Sequence, residues 1–303
     1  MRVHVRVPAT SANLGPGFDT LGLALALRNE VTAAEAEGVS VRIEGEGAAR
    51  LARGGDNVVA RGVRLAFEAV GRRFPGCALD CLNRVPTARG LGSSAAAWVG
   101  GLVAGNALLG SPLPREALLA LAARAEGHPD NVAAALLGGL TVACADGEGV
   151  TAVALPVPPA LRWVALIPGV TSATAEARAV LPRTVPREDA VFNVQRVALL
   201  LASLQAGRTD ALARALEDRL HQPYRLKLFP WMPDVAAAAR AAGALGCVLS
   251  GAGPALLAVT TGDAGDLGRA MEAALRAAGI AGAAHALAVD TEGAVVRVLG
   301  GAA

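Results

Sequence analysis

The chain opens on alternation. In MRVHVRVPATS the apolar residues Val3, Val5 and Val7 take every second position, the period of a strand with one buried face. Further strands are expected at 21–36 and 39–44. Between Asp56 and Arg73 the period changes, and Val59, Val63, Ala66, Phe67 and Val70 recur at helical spacing. A short strand over 78–85 leads into PTARGLGSSAAAW. Residues 93–108 are then apolar nearly all round, which predicts a helix buried on every side. Pro114 stands where a helix tolerates proline, so a helix is expected from there to about Glu126. Another begins near Pro129 and is stopped by Gly138 and Gly139. Strands follow at 140–145, 150–155 and 161–167. The proline cluster PVPPA at 156–160 marks a border between halves, giving domains 1–155 and 156–303. The second half reads as helices at 188–206, 209–220 and 233–242, strands at 246–250 and 254–260, a helix at 264–278, and strands at 283–289 and 294–299. Strands interleaved with helices in both halves predict an α+β fold.

Composition mainly excludes. With 303 residues, 53% hydrophobic and 18% charged, the chain belongs to the well-packed globular class. A net charge of +2 gives no reason to expect a nucleic acid or an acidic membrane surface as partner. The most apolar run, VAAAARAAGALGCVLSGAGPALLAV, is broken by Arg240 and several glycines and reads as helix, strand, turn and strand, not as a membrane span. The cysteines Cys77, Cys81, Cys144 and Cys247 form no C-x-x-C pair, which argues against a zinc site. The N-terminus carries no apolar signal segment, and a cytoplasmic protein is expected. Lys227 is the single lysine, so a phosphate loop that depends on lysine is excluded near residues 86–98.

That exclusion sharpens the reading of PTARGLGSSAAAW. A helix N-terminus leaves backbone N–H groups unpaired and carries partial positive charge, so a phosphate can be held there without lysine. Gly90 and Gly92 let the backbone approach phosphate oxygens, and Ser93 and Ser94 offer hydroxyls to an oxygen or a magnesium ion. Read alone, the same residues also describe a glycine-rich turn that caps a buried helix.

Three stretches together resemble a known family: VPATSANLGPGFDTLGLAL at 7–25, PTARGLGSSAA at 86–96 and SGAGPALLAV at 250–259. They resemble the GHMP kinase superfamily and, within it, the homoserine kinases. The resemblance implies an N-terminal domain like domain 2 of ribosomal protein S5 and a C-terminal ferredoxin-like domain. It implies ATP and Mg2+ as cofactors, L-homoserine as substrate, a role in threonine biosynthesis and a homodimer. By the match, the ATP loop comprises Pro86, Thr87, Ala88, Arg89, Gly90, Leu91, Gly92, Ser93, Ser94, Ala95 and Ala96. Asn57 falls beside the adenosine, or simply starts a helix. Ser94 and Glu126 would hold the metal. Asp130, Asn131 and Arg178 would act in catalysis, although Asp130 and Asn131 also suit the first turn of the helix after Pro129. Asn13, Asp19, His128, Thr174, Arg178 and Arg225 would bind the substrate, the arginines taking its carboxylate. Two departures stand out. Relatives place a lysine shortly before the loop, where this chain has Asn83 and Arg84, so that contact is absent or falls to Arg84 or Arg89. The segment between Glu126 and His128 is also shorter than in some relatives. The competing readings are another small-molecule GHMP kinase and a non-catalytic metabolite-binding regulator on the same fold. The presence of Ser93, Ser94 and Glu126 speaks against the regulator.

Overall fold

In the computed structural model, which describes residues 1–147 and 149–300, the opening alternation runs further than Val7. Strand β1 spans Arg2–Ala12 and pairs antiparallel with β2, Leu21–Glu35, its register shifting between Pro8 and Ala9 where proline has no N–H to give. β3 (Gly38–Gly45) runs parallel to β4 (Gly76–Asn83), which continues the sheet from β2. β5 (Leu140–Asp146) pairs with the start of β2, and β6 (Gly149–Leu155) pairs with β5. The helices α1 (Val58–Ala69), α2 (Ser93–Leu108), α3 (Arg115–Glu126) and α4 (Asp130–Leu137) cover one face of this sheet. Val3, Val5 and Val7 are fully buried against Ala95, Val99, Leu102 and Val132, and each valine contributes roughly 1.5–3 kcal/mol. α2 is buried along nearly its whole length, as its all-round apolar character predicts.

The second sheet holds β7 (Arg162–Pro168), β8 (Gly246–Leu249), β9 (Leu256–Thr260) and β10 (Gly282–Leu287) in the order β10-β7-β9-β8, all antiparallel. With helices between β7 and β8 and a helix between β9 and β10, this is the β-α-β-β-α-β pattern of ferredoxin-like domains. One face packs on α9 (Met232–Ala241) and α10 (Ala264–Ala277) through Val164, Leu166, Val235, Leu267 and Met271. The other face puts Trp163, Ala165, Leu257 and Val259 against Leu21 and Leu23 of β2 and against Leu200 and Leu204 of α6 (Arg187–Gln205). The last strand, β11 (Val295–Leu299), returns to the first sheet and pairs with β1. Among the described residues, no helix is long and apolar enough to cross a membrane.

Several expected elements change. The helix expected over 209–220 is a 3₁₀ turn at Thr209–Ala211 followed by the short α7 (Leu212–Ala215). It stops because the Asp218 carboxylate accepts the backbone N–H groups of Leu220 (2.9 Å), His221 (3.1 Å) and Gln222 (2.7 Å) and so starts a new turn, α8 (Gln222–Arg225). α1 begins at Val58, two residues later than expected, because Asn57 caps it. A further short helix, α5 (Thr174–Ala179), gave no periodic signal over its six residues.

Candidate active site

The site begins with the way the 86–92 loop is tied down. Its carbonyls from Ala88 to Leu91 are all taken: Ala88 O by Ser172 N (3.1 Å), Arg89 O by Ala255 N (3.2 Å), Gly90 O by the Ser250 hydroxyl (2.6 Å) and Leu91 O by Thr10 N (3.1 Å). Its N–H groups are not. Among the described residues nothing accepts from the N–H of Gly90, Leu91, Gly92, Ser93, Ser94 or Ala95, and α2 has no side-chain cap. The loop thus turns its acceptors into the protein and its donors outward, at the positive end of a sixteen-residue helix. Gly92 makes the turn at φ 67°, ψ 27°, and a Cβ there would collide with the Thr10 hydroxyl. Gly90, at φ 76°, lies where a Cβ would strike the Ser250 carbonyl. Pro86, Leu91, Ala95 and Ala96 are buried and shape the loop from beneath.

Two cavities meet at this loop and share Ala88, Ser93 and Ser94 in their walls. The first, open to solvent and about 900 Å3, is largely apolar, with Val31, Ile43, Leu51, Val59, Cys81 and Ala96 in its lining. Thr87 and Asn57 line it too. Asn57 is engaged at both ends of its amide, the oxygen accepting Val59 N (2.9 Å) and the nitrogen donating to Ala52 O (2.7 Å), so it forms wall and helix cap at once. The second, about 670 Å3, is the charged cleft between the two sheets.

In that cleft the sequence-derived residues come together. Asn13, Asp19, Glu126, His128, Asp130, Asn131, Thr174, Arg178 and Arg225 all line it, with Arg89 and the Gly90–Ser94 turn. The Ser94 hydroxyl donates to Glu126 Oε2 at 2.7 Å, so the short segment before His128 still brings Glu126 to the loop. Burial raises the Glu126 pKa above its usual value, with Asp130 adding to the rise, and the Ser94 hydrogen bond and His128 only partly oppose it. His128 Nδ1 lies 2.6 Å from Asp130 Oδ1, which also accepts Asn131 N at 2.6 Å. Burial alone would lower the His128 pKa; the hydrogen bond and charge of Asp130, with the charge of Glu126, outweigh it and raise it. Asn131 Oδ1 accepts the Thr10 hydroxyl at 2.7 Å.

The arginines are held differently from each other. Arg178 forms a two-pronged pair with Asp19, at 3.0 and 2.6 Å. Arg225 is almost wholly buried and, among the described residues, makes no ion pair. Its Nε donates to Ala177 O (3.1 Å), and its Nη1 donates to Gly251 O (3.0 Å) and His221 Nδ1 (3.0 Å). Burial, followed by the charge of Arg178, lowers the Arg225 pKa to about 10, which leaves it charged at neutral pH. Neither arginine therefore presents an empty fork; each offers the N–H groups left over. Of the two substitutes for the missing lysine, Arg84 is bound to Glu30 at 2.5 Å and lines neither cavity, whereas Arg89 lines the cleft with a single long bond to Gly169 O (3.3 Å).

Sequence reasoning missed Thr10, Phe18, Ser172 and His221. Phe18 lies in the cleft wall beneath both guanidiniums, 5.5 Å from Arg178 and 5.6 Å from Arg225. Ser172 lines the cleft with a buried hydroxyl that has no hydrogen-bond partner among the described residues. Its only signal was its position just before the TSATAEAR stretch that supplied Thr174 and Arg178.

The family model for the GHMP kinases N terminal domain matches residues 57–139, and the model for the GHMP kinases C terminal region matches 200–279. A homoserine kinase of Moorella thermoacetica is 50% identical over 292 residues, covering 96% of this chain and 99% of that protein. Among solved structures, the homoserine kinase of Cytophaga hutchinsonii superposes with a TM-score of 0.89 at 33% identity, covering 98% of this chain and 97% of that one. The L. major mevalonate kinase in complex with R-mevalonate shares the fold, with a TM-score of 0.67 at 15% identity over 92% of this chain and 94% of its own.

Proposed function

The chain belongs to the homoserine kinases of the GHMP kinase family, and from that premise we propose that it transfers the γ-phosphoryl group of ATP to the side-chain hydroxyl of L-homoserine, giving O-phospho-L-homoserine for threonine synthesis. The observation that carries this reading is the row of unpaired N–H groups from Gly90 to Ala95, set where an apolar cavity meets a charged cleft. The nucleoside occupies the apolar cavity, the phosphates follow the amides, and the amino acid lies in the cleft. Ser94 and Glu126 suit magnesium: both are hard oxygen donors, and Glu126 is a half-buried carboxylate with no cationic side chain paired to it among the described residues. When bound, the ion neutralises phosphate charge. Arg89 takes the part of the missing lysine.

The substrate is a zwitterion, and the Asp19–Arg178 pair is its electrostatic complement. Asp19 exchanges Arg178 for the ammonium, while Arg178 and the free Nη2 of Arg225 take the carboxylate, so no charge is left uncompensated. Asn131 and Asp130 orient the hydroxyl. Its oxygen bonds to the γ-phosphorus as the bond to the ADP oxygen breaks, ADP leaves with that electron pair, and the proton is lost to phosphate oxygens. A loose transition state of this kind needs positioning and charge neutralisation more than a strong base. The same reading takes 1–155 as the ATP-binding domain, rejoined by β11, and 156–303 as the second domain, and it includes a homodimer in the cytoplasm. The test is an ADP-coupled assay over homoserine, mevalonate, galactose and shikimate. Homoserine should give the highest kcat/KM by orders of magnitude; comparable turnover of another acceptor would overturn the assignment.

A further inference from the structure

We propose that His221, which touches no reacting group, is the positioning residue that aims the Arg225 guanidinium at the substrate carboxylate. This rests on the reading of Arg225 given above. His221 is fully buried, and both ring nitrogens are assigned by their partners. Nδ1 lies 3.0 Å from Arg225 Nη1, and a guanidinium can only donate, so Nδ1 accepts. Nε2 lies 2.7 Å from Gly15 O, and a carbonyl can only accept, so Nε2 carries the proton. The imidazole is therefore neutral and locked in one tautomer. Asp218 Oδ2 approaches Nε2 at 3.4 Å, but that oxygen already accepts the N–H groups of His221 and Gln222, so the contact is no ion pair.

With one N–H of Arg225 Nη1 on His221, the other on Gly251 O and Nε on Ala177 O, only Nη2 remains for the cleft. The same imidazole holds the 13–19 loop through Gly15 and stacks on Phe18, with ring centroids 5.3 Å apart at 27°. It thus fixes Arg225 relative to the loop that carries Asn13 and Asp19, joining the two halves of the amino-acid site across 206 residues. The charged groups around it are Arg225 on α8, Asp218 just before α8, and Asp19 on the β1–β2 loop, itself bound to Arg178 of α5. Burial lowers the imidazole pKa below 6.5, Arg225 lowers it further, and Asp218 and Asp19 oppose the shift. Protonation would set a donor against a donor and one cation against another, releasing the guanidinium from its place.

The experiment compares His221→Phe, which keeps the stack and removes both nitrogens, with His221→Asn, whose side-chain oxygen can still accept from Arg225. Homoserine KM should rise about ten- to a hundredfold in His221→Phe, the range expected for a lost hydrogen bond to a charged group, with ATP KM within about twofold of wild type. His221→Asn should recover most of that loss. In wild type the homoserine KM should climb as pH falls through the lowered His221 pKa, beside the contributions of His128 and Glu126, and the climb should be shallower in His221→Asn. Arg225→Ala should raise homoserine KM while leaving ATP KM nearly unchanged, and adding His221→Phe to it should raise KM much less than it does in wild type, the remainder reflecting the lost bond to Gly15. An unchanged KM in His221→Phe, or an equal rise in the Arg225→Ala background, overturns the role of His221 while leaving Arg225 in place. An unchanged KM in Arg225→Ala removes the reading of Arg225, and the inference with it. If His221→Phe does not fold, the acid limb in His221→Asn decides: a shallower limb than wild type supports the inference and an identical one overturns it.

Discussion

A methyl group on Gly92 tests the loop where its backbone does most. Gly92 stands at φ 67°, and alanine there costs about 1–2 kcal/mol. Its Cβ would also overlap the Thr10 hydroxyl, which donates to Asn131 Oδ1 at 2.7 Å in a buried bond. Displacing that hydroxyl leaves a buried polar group short of a partner, a further cost of about 1–3 kcal/mol. Gly92→Ala should therefore destabilise the protein by roughly 2–5 kcal/mol, read as a lower urea midpoint at unchanged slope. It should also lower kcat, because the shifted Asn131 is the residue that orients the hydroxyl and the displaced amides are those that meet the phosphates. Thr10→Ala removes the colliding oxygen. In that background Gly92→Ala should cost only the backbone share, so the two changes should be less than additive by roughly 1–3 kcal/mol. Strict additivity would mean that the two residues do not meet. A Gly92→Ala enzyme with wild-type midpoint and kcat would refute the loop geometry altogether.

Glu126→Gln should abolish most activity yet make the metal-free protein more stable at neutral pH, because burial raises the Glu126 pKa and so penalises the charged form. The sign follows from linkage: with a folded value above 4.5, wild type gains stability as pH falls through that value, whereas the glutamine variant does not; melting curves at pH 7.5 and 5, with and without magnesium, check both this and the loss of magnesium stabilisation. Arg89→Met should lower kcat about ten- to a hundredfold with little change in melting temperature, since it removes one charge-assisted contact to the phosphates. Arg84→Met, which breaks only the pair with Glu30, should leave ATP kinetics as they are.

The parts of this protein that read clearly from sequence are those where burial and hydrophobicity coincide. The valines of β1 and the whole of α2 signal their places because their buried faces are apolar. β1 was cut short at Val7 because its last turn of strand is buried but polar: Thr10 and Ser11 are fully buried, one bonded to Asn131 and the other to Ser250. Periodicity registers hydrophobicity, so a strand end used to build a site looks like a loop. The break at Asp218 was hidden for a related reason, since a carboxylate that ends one helix and starts the next has the composition of either. Among the site residues, those in the GLGSS loop carried a local mechanism of their own. The cleft residues Asp19, Arg178 and Arg225 were legible only through the family resemblance. His221 was not legible at all, because the proton on Nε2 that leaves Nδ1 free to accept from Arg225 is fixed by Gly15 O, 206 residues away.

The distribution of paired and unpaired charge in the cleft explains why a loop without lysine suffices. Asp19 is paired with Arg178, and His128 with Asp130. Three ionised groups lining the same cleft have no ionic partner among the described residues: Glu126, held only by the Ser94 hydroxyl, Arg89, with one long bond to a carbonyl, and Arg225, with neutral acceptors alone. A buried charge left so is costly unless something else compensates it. The reactants bring a divalent cation, a polyphosphate and a carboxylate, each opposite in sign to one of these groups, while the substrate ammonium is left to Asp19, now paired with Arg178. A lysine at the loop would add a fourth, strongly hydrated cation that the amides of Gly90–Ala95 make redundant. The amides fix the direction of the phosphates and add no net charge. Arg89 supplies the one cation that phosphoryl transfer still needs, from a planar group whose weaker hydration makes it the easier one to hold half-buried.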